Sequence, residues 1–575
     1  MVRPLWLAQK CVSFFGLISD TGELFMKVSI TRRQALVGLS IPFIIPAALS
    51  DNTPPQPTKT AFIHGLASGD PKSDSVVIWT RVSGFENSVT VKWRLSTTPE
   101  MTTIVAAGNY IANQVSDYTV KVVPSKLTAG TVYFYQFEVA GEISATARTR
   151  TLPAGAVANL GLAVVSCSNY PFGYFNVYEA IALDPSIQFV VHLGDYIYEY
   201  GPKGFGGAVG EALARAHQPA YEIQSLADYR QRHGQYKADP QSQMMHAAHP
   251  LIAIWDDHET TNNPWTGGAQ NHQHELEGSW LVRRDASLQA YFEWMPIREP
   301  AAGTRSIDYW RNYKFGDLAN LITLETRHTA RAQQISYSDH RELLADESAA
   351  GATMFLQEIV GDPSRQMLST DMETFLQQSL IESVSQGQIW RLLANPIPMA
   401  RTRAPRLPAA MLSRLKSELP AADYARAVEL ATLGELDLPL YLDPWDGYPS
   451  AREAFYSLCR KAGVSDLVVV TGDSHSFWEN VLFDDKGRSM GVELGTNGVT
   501  SPGDFLTLGA QGAAEMDDLL ARCNDEVVWT NGQHNGYIRL LLTAKTGRAD
   551  YIAISNVGSR DYAIELLRSV VLKPA

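Results

Sequence analysis

Cysteine is scarce in this sequence, with only Cys11, Cys167, Cys459 and Cys523 among 575 residues. Cys11 lies in a segment that we expect to be removed, which would leave an odd number of thiols in the mature chain. We therefore expect no disulfide framework, although one bridge between Cys459 and Cys523 stays open.

Positive charge and long apolar runs are also lacking. The net charge is −13 and there is no long basic run, which disfavours a nucleic-acid surface and a metal-dependent nuclease. No apolar run reaches the ~18 residues needed to cross a membrane, so we expect no stable membrane anchor. A P-loop of the form Gly-x4-Gly-Lys-[Ser/Thr] is absent, and we expect no serine nucleophile elbow.

Paired arginines precede a short apolar run near the N-terminus. Arg32 and Arg33 are followed by an apolar stretch over residues 35–49 that two prolines interrupt. This pattern is typical of a twin-arginine export signal, whose receptor reads the arginine pair. We predict a leader over residues 1–50, with Met26 as an alternative start, and a periplasmic or secreted protein that uses the twin-arginine translocase. A chance arginine pair before a hydrophobic helix is the alternative.

The rest of the sequence divides into a linker and two domains. Residues 51–61 form a Pro-rich linker. Short alternating runs such as 88–95 and 132–139, separated by turn residues, predict an all-β sandwich of immunoglobulin or fibronectin type over residues 62–152. Strands then alternate with helical patterns over residues 158–575, which indicates a layered α/β domain.

Four buried strands of this second domain end in side chains that can bind metals. The segments 160–165, 189–193 and 250–255 and the core of 466–471, between Asp466 and Thr471, are continuous apolar runs, as fully buried strands are. Reactive groups gather at the carboxyl ends of such strands. The candidate ligands that follow them are Cys167, Asp195, Tyr198, Asp257, His258, Asn262, Asp473 and His475. This recurrence predicts a single metal site.

The chemistry of these side chains narrows the kind of metal. Carboxylate and phenolate oxygens suit hard cations such as Fe(III) and Ca(II), whereas imidazole also suits Zn and Mn. A lone Cys167 among oxygen ligands does not resemble a structural zinc site, which would have paired thiolates. Two metals bridged by Asp195 would clamp a phosphoryl group and activate a water molecule.

Short blocks carry a more specific signal from about residue 30 to the end of the chain. They read Phe-Ile-His-Gly-Leu-Ala-Ser-Gly-Asp-Pro at 62–71, Val-Ile-Trp-Thr-Arg at 77–81, Ser-Cys-Ser at 166–168, Gly-Asp-Tyr-Ile-Tyr-Glu-Tyr at 194–200, Trp-Asp-Asp-His-Glu at 255–259 and Gly-Asp-Ser-His at 472–475. Together with the export signal, these blocks resemble the PhoD-type alkaline phosphatase/phosphodiesterase family of the calcineurin-like metallophosphoesterase superfamily.

The resemblance implies a fold, metals and residue roles. The fold would be a β-sandwich followed by a four-layer αββα metallophosphoesterase domain. Fe(III) would be held by Cys167, Asp195 and Tyr198, with Asp195 bridging to Ca(II). The remaining metal ligands would be Asp257, Asn262, Asp473 and His475, and the catalytic residues Asp195, Asp257, His258 and Arg327.

Some roles stay open at this point. Either Asp257 or Asn262 would be the ligand on the calcium side, and Arg327 would either contact phosphate or pair with an acid. We expect Asp256 to hold His258 in its tautomer. The family pattern Asp-Thr-Arg reads Glu-Thr-Arg at 325–327, which puts the role of that acidic position in doubt.

These features predict an exported metal-dependent phosphoesterase. It would hydrolyse phosphomonoesters, phosphodiesters or both through a metal-bound hydroxide. A phospholipase-D-like phosphodiesterase acting on lipid or polymer substrates is an alternative within this class. A non-catalytic metal- or phosphate-binding protein is the alternative outside it, and it would be expected to show a damaged ligand position, which we do not find.

Overall fold

The computed structural model describes residues 30–31, 60–345 and 349–574. The arginine pair and nearly all of the predicted leader and linker lie outside these residues. Within the described ranges, no helix combines the length and the apolar character that crossing a membrane requires.

Strands are the main regular structure of residues 60–152 and form the interior of the domain that follows. In chain order they are β1 (Ile30–Thr31), β2 (Leu66–Gly69), β3 (Val77–Arg81), β4 (Val89–Ser96), β5 (Ile104–Ala112), β6 (Thr119–Val122), β7 (Val132–Val139), β8 (Glu142–Ile143), β9 (Ala147–Arg150), β10 (Leu160–Val165), β11 (Phe189–His192), β12 (Leu251–Ala253), β13 (Pro264–Trp265), β14 (Gly268–Ala269), β15 (Asn312–Phe315), β16 (Ala319–Thr323), β17 (Trp390–Ala394), β18 (Leu467–Thr471), β19 (Phe477–Phe483), β20 (Ser489–Gly495), β21 (Val527–Asn531), β22 (Asn535–Leu542), β23 (Gly547–Ile554) and β24 (Ala563–Leu572).

Helices lie between the strands of the second domain. They are α1 (Asn176–Leu183), α2 (Gly207–Ala212), α3 (Leu226–Ala238), α4 (Pro240–Ala248), α5 (His274–Glu277), α6 (Trp280–Trp294), α7 (Arg341–Leu344), α8 (Ala349–Met354), α9 (Thr370–Ser385), α10 (Ala409–Glu418), α11 (Ala421–Glu435), α12 (Pro449–Lys461) and α13 (Gly509–Cys523). A π-helix covers Phe355–Val360, and short 3-10 helices include Tyr337–His340 and Asp504–Leu508.

Two large sheets form the interior of the second domain. One has the strand order β1-β24-β23-β22-β10-β11-β12-β2-β3-β6, and the other has the order β15-β16-β17-β18-β20-β19-β21. In the first sheet β10, β11 and β12 are parallel, and in the second β16, β17, β18 and β20 are parallel. Parallel strands need crossover connections, which the helices supply.

Alternation along the central strands places the core on both sides of each sheet. In β18, Val468 and Val470 pack in the core between the sheets, whereas Leu467 and Val469 pack against α9 and α12. Successive strand residues point to opposite faces, so a continuously apolar strand must be covered on both. Helices α1, α3, α4 and α6 cover the other sheet, so the predicted layered α/β fold with an N-terminal β region is confirmed.

The four strands that the apolar runs predict are all present. The structure has them at β10, β11, β12 and β18, with ends that differ from the prediction by at most two residues. The glycine-rich stretch at 201–210, after β11, leads into the short helix α2.

The N-terminal β region is joined to the second domain by strand pairing. A five-stranded sheet is built from β4, β5, β7, β8 and β9, and it packs against β2, β3 and β6. The last three strands also extend the large sheet, because β2 pairs in parallel with β12 through Gly69 and Leu251. The sandwich thus shares one of its sheets with the second domain.

Candidate metal centre

Backbone hydrogen bonds hold the ends of the predicted strands together. The Cys167 amide donates to the Gly194 carbonyl at 3.2 Å, and the Ser168 amide donates to the Asp195 carbonyl at 2.9 Å. The second sheet is attached at the same point, since the Val499 amide donates to the Ser166 carbonyl at 2.9 Å. The segments that carry the candidate ligands are therefore fixed relative to one another by the main chain.

A glycine at position 194 is required by this close approach. Its φ of +97° lies in the left-handed region, and a Cβ there would lie 2.3 Å from the Asp256 backbone nitrogen. Any side chain would push the segment after β11 away from the segment after β12.

Four of the candidate ligands have backbone angles that side chains other than glycine seldom adopt. The φ angles are 60° at Cys167, 55° at Asp195, 64° at Asp473 and 47° at His475. Such angles cost about 1–3 kcal/mol each and persist where the surroundings impose them, which is typical of functional sites.

The side chains at the strand ends form three overlapping groups that could each hold an ion. The ligand atoms of each group lie within 4.8 Å of one another. The first group consists of Cys167, Asp195 and His475, the second of Asp195, Asp257 and His258, and the third of Asp256, Asp257 and Asp473. We call these seven residues the strand-end cluster. Asp195 belongs to two groups, which is the position expected of a bridging ligand.

The predicted ligands Tyr198 and Asn262 lie beside this cluster. The Tyr198 phenol donates to Asp195 Oδ2 at 3.0 Å, and it lies 3.3 Å from His475 Nε2 and 2.9 Å from Ser501 Oγ. Asn262 is farther out, and its Oδ1 accepts from the Tyr200 phenol at 3.2 Å. The structure thus brings Asp257 into the cluster and places Asn262 at its edge.

The cluster has the donor set and the unused atoms that a metal centre requires. Asp257 Oδ1, Asp256 Oδ2 and His475 Nδ1 are buried and have no hydrogen-bond partner. Buried carboxylates that face one another are stabilised by a cation, and oxygen, imidazole and thiolate donors are what transition metals and Ca(II) accept. The residues therefore fit metal ions, and they fit more than one.

Burial keeps several of these groups protonated in the metal-free chain. It raises the pKa of the Cys167 thiol and of the Asp195 carboxyl well above their usual values, with nearby carboxylates acting in the same direction. Burial and the Asp195 charge likewise raise the pKa of the Tyr198 phenol. Metal binding must displace these protons, so affinity for the ions rises with pH.

His258 is held by a residue other than the predicted one. Its Nδ1 lies 2.7 Å from Glu199 Oε2, whereas Asp256 binds the Arg327 guanidinium at 2.5 Å. The prediction that Asp256 sets the His258 tautomer is therefore wrong. Although burial opposes its charge, the carboxylates of Asp257 and Glu199 raise the pKa of His258 well above its usual value.

Arg327 pairs with acids in this structure. Its fully buried guanidinium lies 2.5 Å from Asp256, 2.8 Å from Asp443 and 3.4 Å from Asp473. The structure therefore favours the second of the two predicted roles, because a guanidinium surrounded by carboxylates beneath the cluster is not free to grip phosphate bidentately.

Glu325 closes a turn and does not face the cluster. It accepts hydrogen bonds from the backbone amides of Arg327, His328 and Thr329 at 2.7–2.9 Å and from the Trp255 indole at 3.2 Å. The acidic residue at the start of the Glu-Thr-Arg block therefore shapes the loop that delivers Arg327.

Two expectations about nucleophiles and thiols have clear outcomes. Cys459 is buried and Cys523 is exposed, and both are free, so the bridge left open between them is wrong.

The sequence does contain one Gly-x-Ser-x-Gly stretch, at 487–491, but its Ser489 is exposed at the start of β20 in a hairpin. No strand-to-helix elbow supports it, as expected.

Sequence reasoning missed three residues that shape the cluster. Glu199 orients His258, Asp443 pairs with Arg327, and Ser501 binds the Tyr198 phenol. Glu199 lies inside a block that the sequence had already singled out, so its burial could have been suspected. Asp443 follows no apolar strand pattern. Ser501 lies in a turn after β20, but nothing local indicates that it contacts Tyr198.

A cleft of about 880 Å³ opens above the strand-end cluster. Asp195, Asp257, His258, Asp473 and His475 line its floor, and Asn262 lies on its wall. A phosphate ester could thus reach the candidate ligands from solvent.

Comparisons with known proteins agree with this geometry. The sequence profile of the PhoD-like phosphatases matches residues 162–551, and that of the N-terminal domain of PhoD-like phosphatases matches residues 47–153. Alkaline phosphatase D of Bacillus subtilis (strain 168) is 31% identical over 574 residues, covering 96% of this chain and 88% of its own.

Solved structures give the same picture. A structure of PhoD superposes with a TM-score of 0.71 at 28% identity, covering 90% of this chain and 91% of that one. Purple acid phosphatase PPD1 from yellow lupin (Lupinus luteus) seeds has a TM-score of 0.51 at 11% identity, covering 88% of this chain and 74% of its own, and shows the shared fold alone. With candidate metal-ligand groups at the strand ends and a profile match over most of its length, the chain belongs to the PhoD-like phosphatase family and is a metal-dependent phosphoesterase.

Proposed function

We propose that this protein hydrolyses phosphomonoesters and phosphodiesters at the strand-end cluster after export from the cytoplasm. The observation that carries the proposal is the overlap of three ligand groups through Asp195 and Asp257 at the floor of an open cleft. Bound metal ions would polarise the phosphoryl oxygens and activate a water molecule.

His258 is the residue suited to move a proton. It lines the cleft, its Nδ1 is fixed by Glu199 at 2.7 Å, and its Nε2 lies 3.9 Å from Asp257 Oδ2. With one nitrogen held by a buried carboxylate, the other can donate a proton to the alkoxide that leaves phosphorus.

The test is the turnover of 4-nitrophenyl phosphate and bis(4-nitrophenyl) phosphate by the purified protein, before and after chelation. We expect the protein to hydrolyse both esters, to lose this activity after chelation, and to regain it when metal is restored. The reason is that the bound metal ions are the only Lewis acids in the proposed reaction. Turnover that survives complete removal of metal would contradict the proposal, and absence of any turnover would favour the non-catalytic binding protein.

For the metals we propose Fe(III) beside Cys167, Asp195, Tyr198 and His475, with Ca(II) on the side of Asp257 and Asp473. The support is the chemistry of the two sides. The first offers a thiol, a phenol and an imidazole, and the second offers carboxylates alone. Hard divalent cations prefer oxygen-only sites, whereas mixed nitrogen, oxygen and sulfur donors suit iron.

Replacing Tyr198 by Phe tests the iron assignment. We expect the purified wild-type protein to show a visible charge-transfer band that weakens or shifts in Tyr198→Phe, because the phenolate is one of its donors. Tyr196→Phe is the matched control, since the Tyr196 phenol lies 2.8 Å from His246 and points away from the cluster. A colourless, fully active protein that contains only zinc would contradict the assignment.

Export is proposed from the sequence, because Arg32 and Arg33 lie outside the described residues. The folded domain supplies a physical motive: its candidate ligands come from strands far apart in the chain and meet only after folding. A route that carries folded proteins allows metals to be loaded before transport.

A further inference from the structure

The N-terminal five-stranded sheet ends in a strand whose outer edge has no partner. β5 is the last strand of that sheet, and in the described part of the chain only β4 is hydrogen-bonded to its backbone. Its outer side therefore presents unpaired N–H and C=O groups along nine residues. An edge of this kind pairs with a further strand unless charged residues, proline or a covering segment prevent it.

Charge, which protects the other sheet edges, is lacking at β5. Charged residues make up 19% of the chain, but residues 101–116, which include all of β5 and the turn after it, contain no charged residue and no proline. The charged residues at other sheet edges are Lys121 in β6, Glu142 in β8, Arg148 and Arg150 in β9, Lys314 in β15, and Glu565 and Arg568 in β24. β1 and β21, which have none, are only two and five residues long. Among the described strands of the three large sheets, β5 is thus the one long edge without charge.

Apolar side chains along this edge are exposed to solvent. Ile111 is 63% exposed, and Val115, just beyond the end of β5, is 82% exposed. Ile104 and Val105 at the beginning of the strand are also exposed. Single exposed apolar side chains are common, but four of them on one unprotected strand edge are typical of a surface that another protein covers. We call residues 104–115 the β5 edge.

The sequence of the β5 edge suits pairing with itself. If two copies of β5 run antiparallel with Gly108 at the centre, all nine residues of each strand have a residue opposite them. Val105 then lies opposite Ile111 of the second copy, and Ala107 lies opposite Asn109 of the second copy. Opposite residues share a face of the sheet, so this pairing covers apolar side chains and brings no charges together.

The net charge of the chain also favours a second copy as the partner. At −13 per chain, two copies repel each other wherever their charged surfaces meet, and the β5 edge is where that cost is smallest. A basic or an acidic partner, in contrast, would find no opposite charge on this edge. We propose that the protein forms a dimer in which the two β5 strands pair antiparallel and join both five-stranded sheets into one. The two-fold symmetry makes each contact occur twice.

Sedimentation velocity of the purified holoenzyme tests for this dimer. We expect a monomer at about 1 µM protein and a dimer as the main species at about 100 µM, because a single strand pair buries an area at the lower end of the range for specific interfaces. A monomer throughout this range would overturn the inference.

Placing a charge on the edge separates this dimer from one formed elsewhere. Ile111→Lys should raise the dissociation constant of the dimer at least about tenfold, because each dimer would contain two ammonium groups opposite Val105. Leu183→Lys is the matched control, since Leu183 is a 59% exposed apolar residue at the end of α1, and this variant should dimerise like the wild type. Circular dichroism should show that both variants fold. A dimer that Ile111→Lys leaves intact would overturn the assignment to β5.

Cross-linking tests the register of the two strands. Opposite Cα atoms of an antiparallel pair lie about 4.5–5.5 Å apart, which a disulfide can span. A mixture of the variants Ala107→Cys and Asn109→Cys should therefore form covalent dimers under mild oxidation, whereas each variant alone should form far fewer. The wild type, which has the exposed Cys523, is the control for unrelated disulfides. Equal yields in the mixture and in the separate variants would contradict the pairing about Gly108.

Discussion

Replacing Asp195 by Asn should lower kcat/KM for bis(4-nitrophenyl) phosphate by at least ~10³-fold, which is comparable to the loss of a major electrostatic element of an active site. The change keeps the volume of the side chain but removes the negative charge that two of the ligand groups share. Metal content should fall in parallel, because Asp195 is the residue proposed to bridge the ions.

The same variant should fold. Burial raises the pKa of the Asp195 carboxyl well above its usual value, so the metal-free protein holds this side chain protonated and loses no charge when Asn replaces it. Circular dichroism and thermal unfolding of the metal-free forms should therefore match the wild type. Asp285→Asn, at an exposed position on α6, is the control for the chemical change itself.

Combining the variant with others tests whether the cluster acts as a unit. Asp257→Asn and Asp473→Asn should each lose metal and activity, and double variants should lose much less than the product of the single effects. Near-normal turnover and full metal content in Asp195→Asn would mean that Asp195 merely ends a strand.

Replacing both Arg32 and Arg33 by Lys should retain nearly all of the enzyme inside the cell as precursor. The charge is unchanged, but a receptor that reads two planar guanidinium groups does not accept ammonium groups in their place. The measurement compares the cytoplasm with the periplasm and medium. In each fraction the amount of this protein is determined with an antibody, together with the metal-dependent phosphodiesterase activity.

Lys27→Arg is the control for this experiment, since it alters a basic residue of the leader outside the arginine pair. Unchanged export of the double variant would instead indicate the ordinary route for unfolded chains, and the interpretation of residues 1–50 as a twin-arginine leader would be wrong.

The elements that could be predicted are those whose signal is local. Continuous apolar runs identified β10, β11, β12 and β18, and the polar residues directly after them could be assigned to one edge of the sheets. Gly194 could be recognised as a turn, although only the structure shows that Asp256 leaves no room for a side chain there.

The partners of these residues could not be predicted, because they come from distant parts of the chain. Arg327 pairs with Asp443, 116 positions away, and the Tyr198 phenol meets Ser501, 303 positions away. The assignment of Asp256 to His258 failed for this reason, because it was based on proximity in sequence. In the fold, Asp256 binds Arg327, and His258 contacts Glu199 instead.

The division into domains shows the same limit. Alternation along β4 and β7 predicts strands in the N-terminal region, but it does not specify which strands they pair with. The pairing of β2 with β12, which lets the N-terminal strands extend the large sheet, depends on a contact between Gly69 and Leu251 that no local pattern encodes.

Anomalous X-ray scattering from crystals of the purified holoenzyme is the measurement that tests the central claim most directly. The account predicts at least two metal peaks in the strand-end cluster, one within bonding distance of Cys167, Asp195 and His475 and another within bonding distance of Asp195 and Asp257. A catalytically active crystal form whose metal lies elsewhere, or which contains none, would contradict it.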